Sequence, residues 1–198
     1  MNLTTKSGLR KVAVAASVTG LAAVGLAAPS AFAATPHLTP ASTKVTGTSS
    51  KITFVGVVNG ISLTVTCTSL TASGTTPANG LTVPLPTPPK FTGCTDSFGG
   101  KDTVVTANKW SIVANSTGSM LTLDLPVKAA TFSSSILSGC KLTVAPKATG
   151  KITGKYNNAG TWTISGSSFA ISGSGCSTGA TAKATSTVKF APALKVVG

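Results

Sequence analysis

Acid–base chemistry at ordinary pH needs positioned carboxylates or imidazoles. The 198 residues hold three Asp, one His and no Glu. A Ser-His-Asp triad would have to recruit His37, which stands in a Ser/Thr/Pro stretch without periodicity, and no Gly-x-Ser-x-Gly elbow is present. Asp96 and Asp102 flank the turn Ser97-Phe98-Gly99-Gly100-Lys101. Two carboxylates on one turn could join a Ca²⁺ shell, but such a shell takes about six to eight oxygens and Lys101 sits between them, so both are expected to be solvated turn residues. Asp124 ends an alternating run and is expected at a turn or cap. The Gly-rich segment Ser172-Gly173-Ser174-Gly175-Cys176 lacks the Lys-Ser/Thr of a phosphate loop and reads as a turn leading to a cystine. No catalytic residue, cofactor or metal-ligand set is expected.

The cysteines carry a different chemistry. Cys67, Cys94, Cys140 and Cys176 are four in number, and their wide spacing with no His nearby does not suit zinc, which favours close ligand pairs. An even count in an exported chain points to two disulfides. Three connectivities exist. Sequential pairing, Cys67 with Cys94 and Cys140 with Cys176, closes the shorter loops and is the preferred one.

The remaining candidates are cations. Lys and Arg number 16 against the three Asp, a net charge of +13 that reflects scarcity of acid, since all charged residues make up only 10%. Lys141, Lys147, Lys151 and Lys155 recur at intervals of four to six residues with no acid near them in sequence. On a strand Lys151 and Lys155 share a face, and Lys147 joins them if no bulge intervenes. Such a patch can attract teichoic acids, nucleic acid or anionic headgroups in a salt-dependent way. Arg10 is the only Arg, which argues against geometrically specific phosphate or nucleic-acid recognition. The plainer reading is that these lysines supply solubility and blunt sheet edges. Trp110, Tyr156 and Trp162 could stack on sugars, but their alternation places both Trp on apolar faces and so in the core.

These residues must be positioned by strands. Glu and Gln, the long helix-formers, are missing, and Ser and Thr make up roughly 30% of the chain, far above an average globular share. Ile52–Val58 and Ile61–Cys67 are separated by Asn59-Gly60, a strong type I′ hairpin signal. Pairing across it sets Val58 opposite Ile61, Gly56 opposite Leu63, Phe54 opposite Val65 and Ile52 opposite Cys67, with one face wholly apolar. A second hairpin is expected at Asn115–Gly118 with Ile112 opposite Leu121 and Trp110 opposite Leu123. A third is expected at Asn157–Ala159 with Gly154 opposite Trp162. Val83-Pro84-Leu85-Pro86-Thr87-Pro88-Pro89 cannot donate a full ladder and should be a surface loop or edge. About ten to twelve short strands at this spacing predict an all-β antiparallel sandwich or barrel.

The N-terminus divides into a cationic stretch (Lys6, Arg10, Lys11), an apolar run over 12–28 and a small-x-small ending at Ala33. That is the pattern of a signal peptide over 1–33 with cleavage near Ala33. Residues 34–50 are expected to be a flexible lead-in and 51–198 a single β-domain. Losing three cations with the leader leaves thirteen Lys against three Asp, a net +10.

The run Leu63-Thr-Val-Thr-Cys67, then Phe91-Thr-Gly-Cys94-Thr, a Gly-rich turn, a Val/Thr strand leading to Trp110, and the later pairs Gly139-Cys140 and Gly175-Cys176 resembles a group of small exported β-rich actinobacterial proteins. The resemblance implies export, two disulfides and an all-β domain, with no catalytic or binding residue to carry over. In composition the chain is also similar to the enediyne-binding apoproteins, which hold an apolar chromophore in an immunoglobulin-like sandwich, but it departs from them in length, cysteine spacing and charge. The expected function is that of a secreted, non-enzymatic β-domain associating electrostatically with anionic cell-wall polymers, at the cell wall or outside it. The alternatives are a carrier of a small apolar ligand and a secreted protease inhibitor with Val83–Lys90 as bait.

Overall fold

A computed structural model describes residues 34–198, so the expected signal peptide over 1–33 lies outside the described residues. Every described regular element is a strand: β1 (His37–Thr39), β2 (Lys44–Ser49), β3 (Ile52–Val58), β4 (Ile61–Thr75), β5 (Thr82–Leu85), β6 (Lys90–Asp96), β7 (Lys101–Thr106), β8 (Trp110–Ala114), β9 (Met120–Leu125), β10 (Ala130–Ser134), β11 (Lys141–Val144), β12 (Gly150–Asn157), β13 (Thr161–Ser174), β14 (Thr181–Ala191) and β15 (Lys195–Val197). The strands form because β-branched residues alternate with small polar ones. In β14 the alternation is unbroken: Ala182, Ala184, Ser186, Val188 and Phe190 are buried, while Thr181, Lys183, Thr185, Thr187 and Lys189 are exposed. A period of two leaves that strand one inward face and one outward face.

Eight strands close into an antiparallel barrel in the order β14-β3-β4-β6-β7-β10-β11-β13. Three of them, β4, β13 and β14, run on past the barrel. Beyond it the second halves of β4 and β14 pair with β2, the N-terminal end of β13 pairs with β12, and β9, β8 and β5 follow outward from β12. The domain therefore has a barrel region and an extension that share long strands and one continuous core. In the barrel, Phe54 meets Phe91, Phe132 and Phe169 edge-on at 5.7, 5.2 and 6.2 Å. Each such contact is worth about 0.5 to 1.5 kcal/mol beyond area burial. In the extension, Trp162 stacks on Phe190 at 6.5 Å and Tyr156 meets the same ring at 6.0 Å.

The β3–β4 hairpin pairs as its turn predicts, with Ile52 opposite Cys67 and Val58 opposite Ile61, and Asn59 and Gly60 both take positive φ. The other two hairpins keep the expected inward faces but slide by two residues. Ile112 lies opposite Leu123, because the Asn115 side chain accepts from the Met120 N–H and lengthens the loop. Trp162 lies opposite Tyr156, because the Asn157 side chain accepts from the Thr161 N–H and closes the pair one step later. A local polar side chain thus resets a register that alternation alone leaves ambiguous.

Residues 34–50 are not a flexible lead-in. β1 pairs with β15, and β2 lies between β14 and β4, burying Leu38 and Val45 to 1% and 2% exposure. The buried Thr76 hydroxyl donates to the Pro40 carbonyl at 2.6 Å and accepts from the Thr43 N–H at 2.9 Å, pinning the turn between the two strands. The segment has little apolar periodicity because its partners, Thr71 and Lys189 opposite Thr48, come from remote parts of the chain. These strands raise the total to fifteen. Val83 and Leu85 anchor the Pro-rich segment as the edge strand β5, fully or almost fully buried.

Candidate functional site

Both disulfides are those of sequential pairing, Cys67–Cys94 and Cys140–Cys176. The first joins direct cross-strand partners on β4 and β6; the second ties the entry of β11 to the turn after β13. Both belong to the barrel region, and they mark a chain that matures in an oxidising environment.

The four lysines read as one patch do not stay together. Lys155 lies opposite Thr163 of β13 and Lys141 opposite Ser174, eleven residues further along the same strand, which is roughly 35 Å. Lys151 and Lys155 do share the exposed face of β12, and Lys147 sits in the loop leading to it. Lys151 also has an acid beside it that sequence distance concealed, for Asp124 is its direct cross-strand partner.

All three carboxylates depart from the expected solvated turns. Asp96 is buried, and its Oδ1 accepts from the Phe98 and Gly100 N–H groups at 2.9 Å each, while Ser134 donates to Oδ2. Burial pushes this carboxyl up, but the hydrogen bonds from Ser134, Gly100 and Phe98 outweigh it and hold the group below its ordinary value. Asp102, inside β7 rather than at a turn, has a buried oxygen without a partner. Burial first, and then the Asp96 charge, push it up to about 6. Asp124 lies within β9 with one oxygen buried and unpartnered. The arrangement is a folding device for the β6–β7 turn, and no cluster suited to a metal occurs among the described residues.

The thirteen lysines of 34–198 are all exposed. Withdrawn acids and projecting cations leave a surface field more positive than the composition alone implies. One broad surface concavity was not foreseen from the sequence. Between β2 and β3 the chain kinks at Ser50-Lys51, while β14 passes straight by, pairing through Ser186 with Ile52 of β3 and through Lys189 with Thr48 of β2. At the same level β13 bulges between Ser165 and Ser167, with Gly166 at a φ of +67° that a side chain would oppose. The coincident kink and bulge open a groove of about 530 Å³ lined by Ser49, Ser50, Lys51, Thr53, Thr163, Ile164, Ser165, Thr185, Ser186 and Thr187. Its floor is tied: the buried Ser186 hydroxyl lies 2.9 Å from the Lys51 carbonyl oxygen and 3.0 Å from the Ser49 hydroxyl. The Thr-x-Lys-x-Thr-x-Thr alternation of β14 signals one wall, but the other two walls needed the tertiary register.

The interior offers far less room. Two apolar cavities of about 30 Å³ each lie within the core, one ringed by Phe54, Phe132 and Phe169 in the barrel and one where the barrel and extension meet at Trp110 and Trp162. Each is water-sized, whereas pockets for small apolar ligands run to about 300 Å³ or more. Trp110, Tyr156 and Trp162 are core residues, exposed by 4%, 6% and 2%, so no aromatic platform faces solvent there. His37 takes its place in β1, with Nδ1 3.1 Å from the Thr35 carbonyl.

Fold and surface together define a disulfide-bonded, all-β domain with a cationic, hydroxyl-rich exterior. Comparison with known protein families, curated proteins and solved structures finds no match to this chain.

Proposed function

We propose that this is an exported, non-enzymatic β-domain that associates by charge with anionic polymers of the cell envelope or its surroundings. Export through the leader over 1–33, with cleavage near Ala33, is part of the proposal, as is kinship with the small exported actinobacterial β-proteins. The observation that carries the reading is the sorting of charge. Every lysine of 34–198 reaches solvent, while Asp96 is buried and Asp102 and Asp124 are partly withdrawn, each with a buried oxygen. A low-acid surface of this kind attracts polyanions through counterion release, with affinity that falls steeply as salt rises. The absence of Arg from 34–198 suits a diffuse polymer rather than one geometrically read phosphate.

The test is co-sedimentation of the mature chain with intact cell-wall sacculi, before and after stripping of their anionic polymers, across a salt series. Binding should disappear on stripping and weaken about tenfold or more between 50 and 200 mM salt if several phosphates are engaged. Absence of binding at low salt would refute the reading and reduce the charge to a solubility feature.

A further inference from the structure

Accepting that reading, we propose that the groove at the β2–β3 kink seats one strand of the polymer, and that the strand is a phosphodiester-linked polyol. Size, rigidity and chemistry favour this place. The volume of about 530 Å³ accommodates several repeat units of such a chain, and its floor is held by the buried Ser49 and Ser186 hydroxyls on the Lys51 carbonyl. A pre-tied floor loses little freedom when it is occupied.

The lining is specific about its occupant. Each Ser or Thr hydroxyl offers one donor and two acceptor lone pairs. A polyol phosphate presents hydroxyls and phosphate oxygens in alternation, so the same wall serves both kinds of group. Lys51 stands in the groove itself. Lys155 is the cross-strand partner of the wall residue Thr163, and Lys189 pairs with Thr161 two residues before it on β13, so both cations flank the groove on the outer face. No carboxylate lines it. The smaller groove at Lys109 and Lys151, about 320 Å³, has the right cations but includes Asp124, which repels an anionic chain. No aromatic ring lines the site either, which disfavours a sugar ring that needs a stacking face and single-stranded nucleic acid that needs base platforms.

The experiment measures binding of poly(glycerol phosphate) to the mature protein and to three variants, with inorganic phosphate as a competing probe. Thr163→Val with Thr187→Val removes two exposed wall hydroxyls and no charge; it should weaken binding about tenfold and leave the salt slope unchanged. Lys51→Ala should weaken binding and lower the slope by about one phosphate's share. Lys141→Ala, remote from the groove, should change affinity less than twofold. Backbone amide shifts in the unmodified protein supply an independent readout and should concentrate at 49–53, 163–166 and 185–189. Wild-type binding with an unaltered Thr163→Val/Thr187→Val variant, or with shifts scattered over all lysine-bearing faces, would overturn the groove and leave the charge reading standing. Competition by inorganic phosphate at polymer-equivalent concentration would overturn the polymer as occupant. Absence of wild-type binding to both poly(glycerol phosphate) and sacculi would remove the underlying reading as well.

Discussion

The barrel and the extension are built from the same three long strands yet are held together differently. The barrel carries both cystines, the Asp96–Asp102 pair and an edge-on Phe cluster around Phe54. Exposed apolar side chains such as Ile61, Phe98 and Ile136 lie toward its turn-bearing end. The extension has no cystine. It relies on large side chains, Trp110, Trp162, Tyr156 and Phe190, and on the terminal strands β1 and β15, with Leu38 in β1 and Leu194 just before β15 buried to 1% and 0%. Tyr156 fastens the last of these by donating to the Leu194 carbonyl at 2.7 Å, and burial pushes its phenol up to about 12. Covalent closure supports the region that holds the Asp96–Asp102 pair; large aromatic side chains pack the region that has no cystine. The groove lies at the level where one regime gives way to the other, because that is where the chain passes from β2 to β3 and where β13 bulges.

Reduction of both bridges is the severest way to break this contrast. Loops of 27 and 36 residues correspond to about 3.5 to 4 kcal/mol of stabilisation each, with a model-dependent mechanism. Amide exchange should then accelerate first in β6, β7, β10 and β11 while β8, β9 and β12 stay protected. Uniform acceleration would show that the two regions are one cooperative unit without separate supports.

Leu38→Ala probes the opposite side. Truncating a fully buried leucine costs about 2 to 5 kcal/mol, and the loss should appear in the denaturant midpoint together with fraying of β1 and β15. An unchanged midpoint would return residues 34–50 to the status of a dispensable lead-in.

Asp102→Asn is expected to have the smallest effect and the opposite sign. The native group holds its proton up to a pH of about 6, against an ordinary value of 3.8. Well below its ordinary value of 3.8 it is neutral in both states and costs nothing. As pH rises from about 4 to 6 the unfolded state ionises first, so stability falls, and the penalty persists above pH 6. Asn removes that penalty. A gain of about 1 kcal/mol at pH 7 is expected, discounted from about 1.4 kcal/mol per pKa unit because the carboxyl is partly solvated. The gain should vanish well below the ordinary value of 3.8; a loss of stability at pH 7 would mean that the carboxylate has a partner after all. Asp96 behaves conversely, its support being present above its ordinary value and lost as pH falls through the lower folded one.

What was legible in the sequence follows a pattern. The β3–β4 register could be read because Asn59-Gly60 and the alternation of Ile52, Phe54, Val58 and Leu63 agree, and both signals are local. The cystine pairing was reachable by loop length. The later hairpins were displaced by two residues because the Asn115 and Asn157 side chains entered their loops, a choice that a period-two pattern cannot distinguish. The lysine patch failed because spacing along a chain ignores a bend: Lys141 and Lys155 lie at opposite ends of β13, and Asp124, 27 residues from Lys151, is its neighbour.

Composition and alternation by themselves therefore determined an all-β, doubly cystine-bridged domain with cations outside, because side-chain direction on a strand and the scarcity of acid are local facts. Closure of eight strands into a barrel, withdrawal of the three carboxylates, capture of residues 34–50 by β4, β14 and β15, and the hydroxyl groove were decided only by tertiary structure. Each depends on which remote strands become neighbours, and the free energy that selects those neighbours is that of the shared core rather than of any segment alone.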